Sequence, residues 1–317
     1  KLYAVDVTLD LGRRRIIAAY HFRGAKKQGV IQLIKLRSKD ELFISSQIFF
    51  NESDINAIYL EHGKVYFAGS DLNGSFFSSI TIKDDYFEKI SSKIYLPGYV
   101  ATDIVAKHHR IYVTTGDNGG VYAFTEGESH ADWFYEITDA RSVDLKWLGR
   151  EISVLSGQPA RIHRFNREGE LLGEQKLNGA KTPESKSTLL TEGYYSFATV
   201  GEEGLNILCK NKTVKKLPSV RIPNIPPSDT ATNSVAVYHD LIFTANGVGG
   251  IYIYKMKKSF STKTTHCKEP RIKKVGYHHF SAGVSANHLA VGSGDIFVAS
   301  GIEGIKIFDI KKEKKKS

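Results

Sequence analysis

Residues 235–254 read VAVYHDLIFTANGVGGIYIY. The stretch divides into three β-rich runs, VAVY, LIFTA and GIYIY, parted by His239-Asp240 and by a glycine-rich turn. Val, Ile, Phe and Tyr suit a pleated, half-buried surface. Asp and Gly tolerate the positive φ that tight hairpin turns require.

Working outward, the first thirteen residues, VAVYHDLIFTANG, recur without a gap. They return at residues 7–19 (VTLDLGRRRIIAA), 57–69 (AIYLEHGKVYFAG), 104–116 (IVAKHHRIYVTTG), 145–157 (LKWLGREISVLSG), 189–201 (LLTEGYYSFATVG) and 289–301 (LAVGSGDIFVASG). A period of roughly 47 residues with strands inside each unit predicts a propeller, not a helical solenoid. Each unit offers a first strand, a polar turn, a very apolar second strand and a third strand such as Gly120–Phe124, Gly204–Leu208 or Gly304–Phe308. A more polar fourth strand follows at residues 41–48, 88–96, 132–137, 170–177 and 213–217, as expected of an outer strand facing water. The fold expected is all-β: one seven-bladed propeller of four-stranded antiparallel blades over residues 1–310, with a Lys-rich tail at 311–317. The seventh unit ends after its third strand. It is closed either by a short strand from residues 1–5 or by a blade left with three.

Three segments interrupt the repeat. Residues 177–187 and the proline-rich 218–233 join a fourth strand to the next first strand. The second holds four of the eight prolines and is expected to be a stiff extended loop without a strand. Residues 255–274 form a basic insertion between the third and fourth strands of unit six. Loops from fourth to first and from second to third strand share one face, here the upper, so that insertion belongs to the opposite face.

The net charge of +10 is partly local, since KKEKKK at residues 311–316 carries five Lys and one Glu. The remainder is too mild to argue for nucleic acid, and no run of about 18 apolar residues spans a membrane. Cys209 and Cys267 fit no metal spacing, and the sequence leaves open a single bridge between them.

The units Phe243–Gly247 with Gly250–Tyr254, and Phe297–Gly301 with Gly304–Ile310, resemble the repeat of the LVIVD family, whose acidic positions Asp117 and Asp309 keep. The resemblance spans nearly the whole chain. It implies a propeller of the bacterial cell envelope, exported or lipid-anchored through a segment outside this chain, with no established activity.

One polar residue precedes each frame: Asp6, Asn56, Asp103, Asp144, Thr188, Ser234 and His288. This position recurs around the axis near the channel mouth. Read functionally, it is a polar ring in which Asp6, Asp103 and Asp144 hold a hard cation such as Ca²⁺. Read structurally, each side chain accepts backbone N–H groups where a loop enters a strand. His62, His108, His109 and His239 fall in hairpin turns on the lower face and are expected to be solvated, because blade turns lie too far apart for zinc. No nucleophile elbow, HExxH, P-loop or Rossmann fingerprint occurs. Tyr99, Asp117, Asn118, Arg141, Gln158, Glu202, Glu203, Tyr277, His278 and Phe280 form the expected upper contact surface, mixing aromatic with polar groups. The first reading is a monomeric, exported, non-enzymatic module binding a protein or glycan there, without a cofactor. The alternatives are a propeller hydrolase with an axial metal and a purely structural envelope protein.

Overall fold

The computed structural model describes residues 1–22, 24, 26–37, 41–146, 150–177, 186–209, 212–257, 269–281 and 283–310. Seven antiparallel sheets follow one another along the chain, with consecutive strands as neighbours in all but the outer edge of the second. Blade 1 holds β1 (Leu2–Asp10), β2 (Arg15–Phe22), β3 (Gln28–Leu36) and β4 (Leu42–Asn51). Blade 2 holds β5 (Ser53–Glu61), β6 (Lys64–Asp71), β7 (Gly74–Lys83) and two short outer strands, β8 (Tyr86–Ile90) and β9 (Ile94–Leu96), both paired to β7. Blade 3 comprises β10 (Ala101–Lys107), β11 (Arg110–Thr115), β12 (Gly120–Thr125) and β13 (Trp133–Glu136). Blade 4 comprises β14 (Ala140–Lys146), β15 (Glu151–Gly157), β16 (Ala160–Asn166) and β17 (Leu171–Lys176). Blade 5 comprises β18 (Leu189–Glu192), β19 (Tyr195–Thr199), β20 (Leu205–Cys209) and β21 (Lys212–Leu217). Blade 6 comprises β22 (Ser234–Tyr238), β23 (Leu241–Ala245), β24 (Ile251–Lys257) and β25 (Arg271–His278). Blade 7 has β26 (His288–Gly292), β27 (Asp295–Ala299) and β28 (Ile305–Asp309).

The seven-bladed propeller expected from the repeat is therefore the fold, with two refinements. The fourth strand of blade 2 is broken in two. Among the described residues blade 7 keeps three strands, because residues 2–10 are consumed as the innermost strand of blade 1. Ring closure runs instead through an isolated bridge, with Ala4 N–H donating to the Gly301 carbonyl at 2.9 Å.

The core is seven separate clusters, each lying between two neighbouring blades. A sheet with apolar residues on both faces must be covered twice, and a closed ring of sheets does so for every blade. The frame repeats in packing as well as in sequence. Phe197, Phe243 and Phe297 occupy the same frame position, are fully buried, and each enter the cluster toward the following blade. Burying a phenylalanine stabilises by about 1.5–3 kcal/mol, so this position contributes strongly to the three interfaces that link blades 5, 6, 7 and 1.

Two expectations about the interruptions change. The basic stretch at 255–274 is strand at both described ends, within β24 and β25, so less of it is insertion than its composition suggested. The proline-rich loop has no strand of its own but does wind into a 3₁₀ turn, Pro227–Thr230. The Lys-rich tail at 311–317 lies outside the described residues.

Candidate site at the axial mouth and upper rim

The residues preceding the frames act as fasteners between blades. Asp6 Oδ1 accepts the N–H of Val7 at 2.8 Å, and its Oδ2 accepts the N–H of Ile58 in blade 2 at 3.0 Å. Asp103 repeats the pattern, taking Ile104 N–H at 2.9 Å on one oxygen. Its other oxygen takes Val143 N–H at 3.0 Å and Ser142 O–H at 2.6 Å from blade 4. Asp144 takes Leu145 N–H at 2.8 Å, then Thr191 N–H at 2.5 Å and Thr191 O–H at 2.9 Å from blade 5. Asn56 fastens blade 2 to blade 3 by donating to the Ala101 carbonyl at 3.1 Å.

From blade 5 onward the fastening passes to other residues, in blades 6 and 7 to the one just before the ring position. The Thr199 hydroxyl donates to the Asn233 carbonyl at 3.1 Å, Asn233 Nδ2 donates to Ala286 at 3.3 Å, and Asn287 Nδ2 donates to Ala4 at 2.8 Å. Seven polar contacts thus circle the axis. Ser234 is fully buried behind Asn233, and its Oγ has no hydrogen-bond partner among the described residues. Asn233 and Asn287 escape a reading of the sequence, although each stands next to a ring position. The signal available was an Asn immediately before it in units six and seven.

At the mouth of the channel Asp6, 4% exposed, meets His288 and Lys186. His288 Nδ1 lies 2.7 Å from its Oδ1, and Lys186 Nζ lies 3.5 Å from its Oδ2. Lys186 comes from the loop entering blade 5, so its side chain crosses the axis. Its ammonium also donates to the carbonyls of Val5 at 2.8 Å and Asn56 at 3.2 Å. Burial pushes the Asp6 carboxyl up, but the charges of His288 and Lys186 and the bonds it accepts outweigh that and hold it at about 2. Asp144 behaves oppositely. Burial pushes it up to about 6, assisted by the Asp103 charge and opposed by the Thr191 and Leu145 donors. Asp103 is raised by burial and by Asp6.

Two carbonyls and a carboxylate oxygen are donors a hard cation would accept. Here the Lys186 ammonium stands among them, while Asp103 and Asp144 spend both oxygens on N–H and O–H groups. Among the described residues no three His, Cys, Asp or Glu converge as a metal-holding group. The turn histidines have local partners: His62 lies 3.2 Å from Glu61, and His109 lies 3.0 Å from Glu126, which also takes Lys64 at 2.6 Å and Tyr66 at 2.7 Å.

The upper-surface residues divide. Tyr99 projects into solvent, 74% exposed, and its N–H donates to the Asp117 carbonyl at 3.2 Å, so these two are brought together. Arg141 is buried, not at a loop tip, and its guanidinium forks onto Asp139 at 2.9–3.1 Å. Tyr277 lies on the outer strand of blade 6, stacked on Tyr252 at 5.8 Å, away from the axial mouth. Three residues went unremarked in the sequence. Leu72 tops the blade 2 turn at 80% exposed, and Tyr95, 46% exposed, donates its hydroxyl to Asp71 at 3.0 Å. Lys93 pairs with the same carboxylate at 2.6 Å.

The fold and this mouth define a seven-bladed propeller with Lys186 reaching across the axis to Asp6 and with exposed large side chains on its upper rim. No protein-family model matches the chain, and no curated protein matches it. Solved structures do. The WD40 propeller domain of Doa1 matches with TM-score 0.66 and 8% identity, covering 99% of this chain and 94% of that one. Sqt1 of Saccharomyces cerevisiae matches with TM-score 0.64 and 12% identity over 99% and 84%. The computationally designed Ika8 protein matches with TM-score 0.59 and 10% identity over 97% and 96%. At such identities the likeness concerns the fold alone.

Proposed function

We propose that this chain is a non-catalytic binding and scaffold module of the cell envelope that engages a protein or glycan through the upper rim of blades 2 and 3. The observation that carries the reading is the exposure of Leu72 and Tyr99, with Tyr95 beside the Lys93–Asp71 pair. Large apolar groups set among ordered polar ones are what a protein or carbohydrate contact uses. The axial polar groups are spent on holding blades together, which directs binding outward to the rim.

Export to an oxidising compartment is part of the proposal. It is supported by the LVIVD-like repeat and by Cys209, which is disulfide-bonded. Cys267, the other cysteine of the chain, lies outside the described residues. Among the described residues no helix is long and apolar enough to cross a membrane.

The test places a photo-crosslinking residue at Leu72, at Tyr99 and, as a lower-face control, at His239, and exposes each protein to an envelope extract and to a glycan array. Capture of one partner at both rim positions but not at His239, with that partner failing to bind the double variant Leu72→Glu/Tyr99→Ala in a pull-down without crosslinker, is the expected result. Capture confined to the control together with a silent array would sink the proposal.

A further inference from the structure

Blade 7 differs from the other six in its outer edge. Ser300 N–H donates to the Gly304 carbonyl at 2.7 Å, and Ile310 N–H donates to the Gly294 carbonyl at 2.8 Å. Bonded and non-bonded pairs alternate along an antiparallel ladder. The amides and carbonyls of Lys306 and Phe308 therefore point to β27, and those of Ile305 and Ile307 point outward. Among the described residues no strand pairs with that edge.

The walls beside the edge are built for an occupant. On one side, Val30 and Ile34 belong to the core between blades 7 and 1, and their cross-strand partners on β4 are Phe49 and Ile44. These share that face yet are 61% and 50% exposed, and Leu42, opposite Leu36, is 42% exposed. Blade 2 shows what is missing. There Phe87 stands opposite Ile82 beyond a bulge, as Ile44 stands opposite Ile34. Phe87, however, packs into the core between blades 1 and 2, and its N–H donates to Ser46 of β4 at 3.2 Å. A fourth strand on blade 7 would cover Ile44 as β4 covers Phe87.

The other wall is basic. Lys306 pairs across to Val298 of the core between blades 6 and 7, so it faces blade 6, with its ammonium 5.7 Å from the Phe280 ring. On β25, Lys273 and Arg271 lie opposite Lys255 and Lys257, on the face turned to blade 7. Among the described residues the carboxylates in ion pairs with this group are Glu303, 2.5 Å from Lys306, and Asp240, 3.1 Å from Lys255. Cations outnumber them.

We propose that the outer edge of blade 7 captures an extended segment of a partner protein in which aliphatic and acidic residues alternate. The segment adds as an antiparallel fourth strand, its backbone meeting Ile305 and Ile307. Its aliphatic side chains cover Ile44 and Phe49, and its carboxylates meet Lys306, Lys273 and Arg271. Two copies joined edge to edge would set these cations against themselves, which favours an acidic partner over a second copy.

The full chain is titrated with a short fluorescein-labelled peptide alternating valine and glutamate, with the same peptide carrying lysine for glutamate, and with one bearing a central proline. Saturable binding of the first is expected, weakened at least about tenfold in the other two and in Ile44→Glu and Phe49→Glu, whose side chains are solvent-exposed. Amide exchange at Ile305 and Ile307 should slow only with the first peptide. Equal binding of all three peptides, or protection located elsewhere, overturns the proposal. So does full protection of both amides in the free protein, which would mean the chain covers its own edge. A concentration-dependent dimer abolished by Phe49→Glu would put a second copy in the peptide's place.

Discussion

Replacing Asp6 by Asn removes the charge that holds the channel mouth together while nearly preserving its shape. The ordinary carboxyl value of 3.8 falls to about 2 in the fold. At 1.36 kcal/mol per unit, ionisation of this group stabilises the native state by about 2–3 kcal/mol. The folded value is depressed, so this contribution is complete above the ordinary value and is lost as pH falls through about 2. Asn adds a further cost, because its amide must face one of the N–H donors of Val7 or Ile58 and leaves Lys186 without a counter-charge. Asp6→Asn should therefore lose about 3–4 kcal/mol near neutral pH. The assay is urea unfolding of both proteins at about pH 5 and about pH 3. The gap should narrow by about 1 kcal/mol at the lower pH, where the unfolded wild-type chain takes up a proton that the native chain refuses. A gap that stays constant would show that packing, not charge, is lost. Equal midpoints at pH 5 would refute the reasoning altogether.

Lys186→Met keeps the length of the side chain but removes an ammonium bonded to Val5 and Asn56. A loss of about 1–3 kcal/mol is expected in urea, and a double-mutant cycle with Asp6→Asn should return a coupling of at least about 0.5 kcal/mol; additivity would contradict a shared pair. Asp144, raised to about 6, works in the opposite sense. Its contribution is present below the ordinary carboxyl value and is lost as pH rises through about 6, so Asp144→Asn should flatten the fall in stability between about pH 4 and pH 6, and carboxyl NMR should place its midpoint near 6. Two glycines separate conformational from steric cost. Gly247 has φ +52° and a Cβ there would meet the Asp229 carbonyl oxygen at 2.1 Å, whereas Gly304 has φ +74° and open space. Gly304→Ala should cost about 1–2 kcal/mol and Gly247→Ala distinctly more by thermal or urea unfolding; similar losses would mean the Asp229 loop yields freely. Thiol titration of the unreduced, denatured protein should find no free Cys209, and a reactive thiol there would remove one support for export.

The likeness of this chain to WD40 propellers at about a tenth identity shows how little of a blade is dictated by particular residues. A blade needs an apolar second strand, turn residues that accept positive φ, and alternation that presents two faces. His108-His109 and Ser293-Gly294 meet the turn requirement with different side chains, both pairs at positive φ. Such local requirements are written in consecutive residues and can be read there.

Much of the candidate site is of another kind. Asp6, Asn56, Asp103 and Asp144 were recognisable as a ring because they share a frame position, but their partners Ile58, Ala101, Ser142 and Thr191 belong to the next blade. Lys186 lies in a stretch that breaks the repeat, and only closure of the ring carries it across the axis to Val5 and Asn56. Arg141 read as a loop-tip residue because charge usually means exposure, until Asp139 two positions away drew it inward. Leu72 is apolar, and only the folded blade shows it 80% exposed at the top of its turn.

Period, turn chemistry and alternation are properties of neighbouring residues, and they suffice to make VAVYHDLIFTANGVGGIYIY the inner three strands of a blade repeated seven times. That Ser234, just ahead of that stretch, is buried and that Asn233 does the fastening emerges only from the folded ring. Only it showed that an ammonium from blade 5 fills the mouth, and that blade 7 offers an edge. These depend on which residues meet across a closed ring, and ring closure sets distances that no local pattern encodes.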